Sequence, residues 1–386
     1  MKLTFLIFTS WVFSSIKTLS VILSVALCTP VIADTISSEK QTFTVQSVAK
    51  GLNHPWSMQF LPSGDMLVTE REGGLVRVSP SGKITKIAGD IPNIAYTGQG
   101  GLLGLALAPD FESSGKIFVA YSEKGSFRKS GTSVISAILA NNSVTDIKTV
   151  FRMDPKLGGG RHFGSRLLVQ DNYLFISLGD RGQRDRSQDL TNHQGSVIRI
   201  NLDGSTPKNN PFLKNDQAKP EIYSFGHRNI QGMTLANNNL TLWTHEHGPQ
   251  GGDELNITQA GKNYGWPTIT YGVNYGLGTK IGKGTHQEGM EQPVHYWVPS
   301  IAPSGMTSVK GKKFKNWQNN LLLGSLKFGL LVRLELDENR VVHEERMLDG
   351  KYGRIRDVIE GPNGDIYLLT DSANGEILLL RPINDD

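Results

Sequence analysis

A chain of 386 residues with 40 Lys+Arg against 36 Asp+Glu carries a formal net charge of only +4. It shows no basic stripe or tail, and after residue 28 no stretch is apolar enough to cross a membrane, which excludes nucleic acid as the main partner and a membrane-spanning body. The length admits one large domain or two ordinary ones, and a single cysteine, Cys28, excludes a disulfide framework.

In chain order the first element is a leader. Lys2 and Lys17 bracket the early chain, the apolar run "LSVILSVALC" follows, and "VIADT" offers a small-residue cleavage site after Ala33. Residues 1–33 are expected to be a removable signal peptide. The competing reading is a membrane anchor, for which the run after Lys17 is short. A lipid anchor on Cys28 is disfavoured by Leu27, where a small residue is wanted. Removing Lys2 and Lys17 leaves 38 basic against 36 acidic residues, a net +2. A chain exported without cysteines is expected in the periplasm, stabilised by its core and not by cross-links.

From residue 34 onward the repeated unit is a Pro/Asp/Asn/Gly turn followed by an apolar strand. It occurs as "LPSGDMLVTE", "SSGKIFVAYS", "QDNYLFISLGD", "NNNLTLWTHE", "WQNNLLLGSL" and "GPNGDIYLLTD". A second strand such as "GGLVRVSP", "GSVIRINLD", "GLLVRLELD" or "GEILLLRP" follows a short turn later. Six such units at intervals of several tens of residues predict an all-β, six-bladed β-propeller over 34–386. A sandwich of this length is unusual, and the spacing is too long for a β-helix. Propeller loops converge at one mouth of the central channel, so residues remote in sequence can share a pocket.

The unusual residues sit in those loops. "GQGGLLG" places Gln99 in a glycine-rich turn. "GGRHFGSRLLV" (159–169) sets His162 among glycines and arginines just before a strand, where it can line a pocket rim and move a proton. "YSFGHRNIQG" carries Arg228 and Asn229, "GSLKFG" carries Lys327 in an apolar run, and "GRIRDV" spaces Arg354 and Arg356 two apart on one strand face. Buried cations need anions. For any single one a structural salt bridge serves, but only Asp357 is an obvious local acid. The four together point to an anionic ligand with several carboxylates or phosphates. In "HEHGPQGGDELN", His245 and His247 suggest zinc, but no third ligand is apparent. The glycine-rich carbonyls with Asp253 and Glu254 suit calcium better, or merely cap a turn. No P-loop, G-x-S-x-G elbow or dinucleotide fingerprint is present.

These motifs, in this order, with "IRINLDGSTPKNNPF", "GKNYGWP" and "SLKFG", resemble the soluble quinoprotein glucose/sorbosone dehydrogenases, and among them the periplasmic aldose sugar dehydrogenases. The resemblance runs from "GLNHPWSMQFLPSG" to "RIRDVIEGPNGDIYLLTD". It implies pyrroloquinoline quinone (PQQ) and calcium as cofactors. It further implies His162 as catalytic base and Asp180 of "SLGDRG" as the carboxylate orienting it. Gln99, Arg228, Asn229, Lys327, Arg354 and Arg356 match PQQ-contacting positions, with Arg228 also stabilising charge on the quinone. The carbonyls of Gly248 and Pro249 match the active-site calcium, and Glu254 with the Tyr264 carbonyl a second, structural calcium. Three places depart from the family's glucose dehydrogenase. Arg161 stands where that enzyme has an acid, 181–189 is more charged, and "HYWVPSIAPSG" differs at its aromatic positions.

The leading expectation is an exported PQQ- and calcium-dependent enzyme that oxidises an aldose at C1 to a lactone and passes electrons to an external acceptor, as a monomer or homodimer. A non-catalytic glycan- or protein-binding propeller is the alternative. A calcium-dependent lactonase-type propeller is a third reading, but it would line the channel with acids.

Overall fold

Turn residues and short apolar runs alternate along this chain, and that pattern can be satisfied only by antiparallel meanders. In "LPSGDMLVTE" the Leu61 N–H donates to the Asp65 carbonyl at 2.8 Å, and Gly64 at φ +83° takes the turn position that other residues resist. Met66–Glu70 then pairs antiparallel with Pro55–Phe60. The computed structural model describes residues 33–236 and 239–383, with positions 1, 7 and 9. The expected signal peptide therefore lies outside the described residues, apart from those three positions and Ala33, and so does Cys28.

Among the described residues the strands form six sheets, five of four strands and one of five. The first strands of the six sheets are Pro55–Phe60, Leu102–Leu107, Leu167–Gln170, Ile230–Ala236, Pro303–Ser308 and Ile355–Glu360. Successive first strands pack on one another around a common axis, and the last returns to the first. This is the expected six-bladed β-propeller. Among the described residues helix is reduced to one α-turn, Phe111–Ser114, and two short 3-10 segments. No helix among the described residues is long and apolar enough to cross a membrane.

The ring closes by a clasp that the repeats do not reveal. The sixth sheet takes its outer strands, Asp34–Ser37 and Thr42–Leu52, from the other end of the chain, running Thr42–Leu52 against Gly375–Pro382 from Phe43↔Pro382 to Leu52↔Gly375. Each of the six interfaces between blades holds its own apolar cluster. Phe43, Phe314 and Trp317 anchor one, and Trp243, Trp297 and Leu323 another. A buried Leu or Phe contributes roughly 1.5–3 kcal/mol, so no single blade is stable without its neighbours. The starts of the first strands and the ends of the second strands meet at one mouth of the channel. The loops carrying Gln99, His162, Arg228 and Asn229, Lys327 and Arg354 all belong to that mouth.

Candidate active site

His162 is held in the left-handed region at φ +56°, a conformation that costs a non-glycine residue about 1 kcal/mol and needs support. Three contacts supply it. The His162 N–H donates to Gln99 Oε1 at 2.7 Å. Gly179 lies so close to the His162 carbonyl that a Cβ there would collide with it. The wholly buried guanidinium of Arg181 stacks 3.6 Å from the Phe163 ring centroid and donates to the carbonyls of Arg161 and Gly159 and to Ser130 Oγ. Burial lowers the Arg181 pKa to about 10, against the raising effect of Asp180.

The loop thus fixed brings His162 Nδ1 to 2.6 Å from Asp180 Oδ1. Asp180 also accepts the Gly182 N–H at 2.6 Å on Oδ1 and the Trp266 indole N–H at 2.8 Å on Oδ2. Burial opposes ionisation of Asp180, but the hydrogen bonds from His162 and the Gly182 N–H and the charge of Arg228 hold its pKa below the usual carboxylate value. The His162 pKa is also lowered, first by burial and then by Arg228 and Arg161, against the raising pull of Asp180. At neutral pH the pair is therefore a carboxylate and a neutral imidazole. The proton sits on Nδ1, and Nε2 is left as a lone pair able to accept another.

Beside the dyad lies a cavity of about 280 Å³, near the lower end of the range for small-molecule sites. Its floor is the apolar trio Trp56, Leu103 and Phe163. Of the expected cofactor residues, Gln99, Asn229, Arg354 and Arg356 line it, joined by Arg71 and Asp371. Asn229 is fixed by accepting the Gly164 N–H at 3.1 Å on Oδ1. Arg228, buried, donates to the His247 carbonyl at 2.9 Å with its Cζ 5.3 Å from the Trp266 ring centroid. Glu246 holds this turn by accepting the backbone N–H groups of Arg228 and Asn229. Lys327 stands exposed next to the lining residue Leu326, its Nζ 4.9 Å from the Phe328 ring centroid.

The expectation that these cations lack acids needs correction. Arg354 and Arg356 both bind Asp371 Oδ2, at 3.0 and 2.8 Å. Asp357, the acid expected to serve them, instead pairs with Arg166 at 2.9 Å, which braces the channel beneath the pocket. Two guanidinium groups share one carboxylate, so the pocket keeps an excess of positive charge. Arg356 Nε and Arg71 Nε are buried without a hydrogen-bond partner.

In the 248–252 turn the Gly248 N–H donates to Asp253 Oδ1 at 2.8 Å. Asp253 is consumed there, also accepting from Ser300, Ile301 and Ala302. The carbonyl oxygens of Gly248 and Pro249 accept no hydrogen bond among the described residues. Glu254 has only Asn256 Nδ2, at 3.5 Å. Burial and then the charge of Glu246 push its pKa well above the usual value. Tyr264 stacks on His227 with ring centroids 4.5 Å apart, and its hydroxyl bridges Ile257 and Gln259. Among the described residues no three His, Cys, Asp or Glu side chains converge as metal ligands. His247 Nε2 meets the Pro303 carbonyl at 2.6 Å, whereas neither ring nitrogen of the buried His245 has a partner.

Sequence reading missed Asp371, Trp266, Arg181, Glu246 and Trp56. Asp371 follows an apolar strand and Trp266 sits in the quoted "GKNYGWP", but nothing in the sequence says which cation or carboxylate each one meets.

The family profile described as "Glucose / Sorbosone dehydrogenase" matches residues 52–379. The chain is 44% identical over 349 residues to the aldose sugar dehydrogenase YliI of Escherichia coli K12, covering 89% of this chain and 94% of that protein. It superposes on the apo-form crystal structure of the soluble aldose sugar dehydrogenase from Escherichia coli with a TM-score of 0.86 at 44% identity, covering 88% of this chain and all of that one. The PQQ-bound aldose sugar dehydrogenase of Streptomyces coelicolor matches with a TM-score of 0.73 at 27% identity, covering 92% of this chain and 99% of that one.

Proposed function

Because the chain belongs to the glucose/sorbosone dehydrogenase family and is an oxidoreductase of its PQQ type, we propose that it oxidises aldoses at C1 to lactones in the periplasm, with His162 as general base and calcium as second cofactor. The single observation that carries this reading is the 2.6 Å His162–Asp180 contact at the edge of a cation-lined pocket.

The residues present suit the cofactor. PQQ carries three carboxylates, and the pocket offers Arg71, Arg354 and Arg356 with one carboxylate between them, two orphaned guanidinium nitrogens and an apolar floor. Lys327 at the rim and Arg228 beside Trp266 add charge. The free carbonyl oxygens of Gly248 and Pro249 are donors of the kind a hard cation takes. Glu254, with the Tyr264 carbonyl, is assigned to a second calcium, which would relieve the charge of a buried acid.

When bound, the cofactor supplies the quinone that takes the hydride from C1. Everything else falls to side chains of this chain. His162 Nε2 accepts the proton of the anomeric hydroxyl. Asp180 keeps the second proton on Nδ1 and stabilises the imidazolium as it forms. Trp266 and the Gly182 N–H hold Asp180 so that it cannot rotate away. The Arg228 guanidinium, fixed by the His247 carbonyl, would stabilise negative charge developing on the quinone without reorganising.

The reading is tested by reconstitution. Purified protein is titrated with PQQ with calcium or with a chelator, and dye reduction is followed with glucose. Saturable binding and calcium-dependent dye reduction are expected. Binding without oxidation of any aldose would favour a binding propeller, and no binding would remove the cofactor assignment.

A further inference from the structure

Two arginines flank the dyad without a carboxylate of their own. Arg161 is exposed, and its side chain lies across Gly182, where a Cβ would come within 2.5 Å of Arg161 Nε. Gly182 is the residue whose N–H binds Asp180 Oδ1, so this guanidinium rests beside the catalytic pair. Arg184, also exposed, has its Cζ 5.6 Å from the Trp266 ring centroid and donates to Asn274 Oδ1 at 3.2 Å. Trp266 binds the other oxygen of Asp180, so the second guanidinium stands beside the ring that holds that carboxylate. Neither arginine is ion-paired among the described residues; Asp185, exposed in the same turn, forms no ion pair with either. Arg161 is near enough for its charge to act on the His162 ring.

The carboxylates of the cofactor already have Arg354, Arg356 and Lys327 around the pocket. Arg161 and Arg184 stand on the 180–184 side of His162, outside the residues that line it. A sugar whose anomeric hydroxyl meets Nε2 and whose chain extends toward this exposed rim brings its other substituents to these guanidinium groups. A neutral aldose offers these guanidinium groups only hydroxyls, whereas a carboxylate or phosphate offers charge-assisted, bidentate bonds.

We propose that the preferred aldose of this site is acidic, bearing a carboxylate or phosphate remote from C1 that Arg161 and Arg184 hold while the anomeric hydroxyl meets His162. This rests on the reading of the site as an aldose dehydrogenase.

The test compares glucose, glucuronate and glucose 6-phosphate as substrates of the PQQ- and calcium-loaded protein at low ionic strength. Wild type and an Arg161→Gln/Arg184→Gln variant are assayed, with thermal unfolding as a check on folding. Calorimetry measures glucuronate binding to both proteins, with and without cofactor. Two exposed charge contacts give the acidic sugar an advantage of about 5- to 25-fold in kcat/KM. That advantage should vanish in the double variant and shrink as salt is added. The better of the two acidic sugars identifies the anion. If glucose is used as well as either acidic sugar, or the advantage survives in the variant, the inference is wrong while the dehydrogenase reading stands. If no aldose is oxidised, that reading falls and calorimetry decides the inference. Glucuronate binding weakened about fivefold or more in the variant supports it, and unchanged binding overturns it.

Discussion

Replacing Asp180 by asparagine changes almost no volume but cannot satisfy what surrounds it. Three donors converge on the two carboxylate oxygens: His162 Nδ1 at 2.6 Å, the Gly182 N–H at 2.6 Å and the Trp266 indole N–H at 2.8 Å. An amide has one acceptor oxygen and one NH₂. If the oxygen faces His162, the NH₂ opposes the Trp266 N–H, leaving a buried donor unsatisfied at a cost of about 1–3 kcal/mol. If the oxygen faces Trp266, the NH₂ donates to His162 Nδ1, which drives the ring proton to Nε2 and removes the base. Loss of general-base catalysis is worth on the order of 10²–10⁴ in rate, or about 3–5 kcal/mol of barrier. The Asp180→Asn variant should therefore lose at least about a hundredfold in kcat, measured by dye reduction, while its PQQ titration stays close to wild type because Asp180 does not line the cofactor pocket. A variant within threefold of the wild-type rate would refute the dyad.

Trp266→Phe keeps the ring under Arg228 but deletes the N–H to Asp180 Oδ2, and kcat should fall about tenfold with little change in cofactor affinity, from the loss of one bond to a charged acceptor. Arg356→Gln removes a buried guanidinium that shares Asp371, so PQQ affinity measured by fluorescence titration should weaken by about 2 kcal/mol or more. Because the His162 pKa lies below 6.5 and only the neutral ring accepts a proton, kcat/KM should be flat above pH 6.5 and fall tenfold per unit below the lowered pKa. Asp180, already below its ordinary value, stays ionised across that limb. An acid limb centred above pH 7 would contradict the burial of His162.

The propeller was legible because the turn-strand repeat is local: each blade announces itself within about ten residues, as "GPNGDIYLLTD" does. His162 stood out for a similar reason, since a histidine among glycines ahead of a strand has no packing explanation. Partners were not legible. Asp371 reads as the turn after a strand, and only folding brings it to Arg354 and Arg356 in place of Asp357, which goes to Arg166. Arg356 and Asp357 are adjacent, but the strand's register slips between Ile355 and Asp357, leaving Arg356 out of the pairing, and the two take different partners. The clasp of Thr42–Leu52 on Gly375–Pro382 escaped notice too, because ring closure joins the two ends of the sequence and leaves no periodic trace. Trp266 could be quoted as part of a motif, but its hydrogen bond to Asp180 crosses 86 positions.

The account turns on His162 taking the sugar's proton next to a bound quinone. Its most direct test is a single turnover without oxygen or dye: protein loaded with one equivalent of PQQ and calcium is mixed with aldose, and quinone absorbance is followed alongside the same experiment on His162→Gln. Wild type should bleach one equivalent of quinone and release one of lactone, while the variant binds PQQ and bleaches at least about a hundredfold more slowly. Bleaching of the variant at the wild-type rate would show that another group removes the proton.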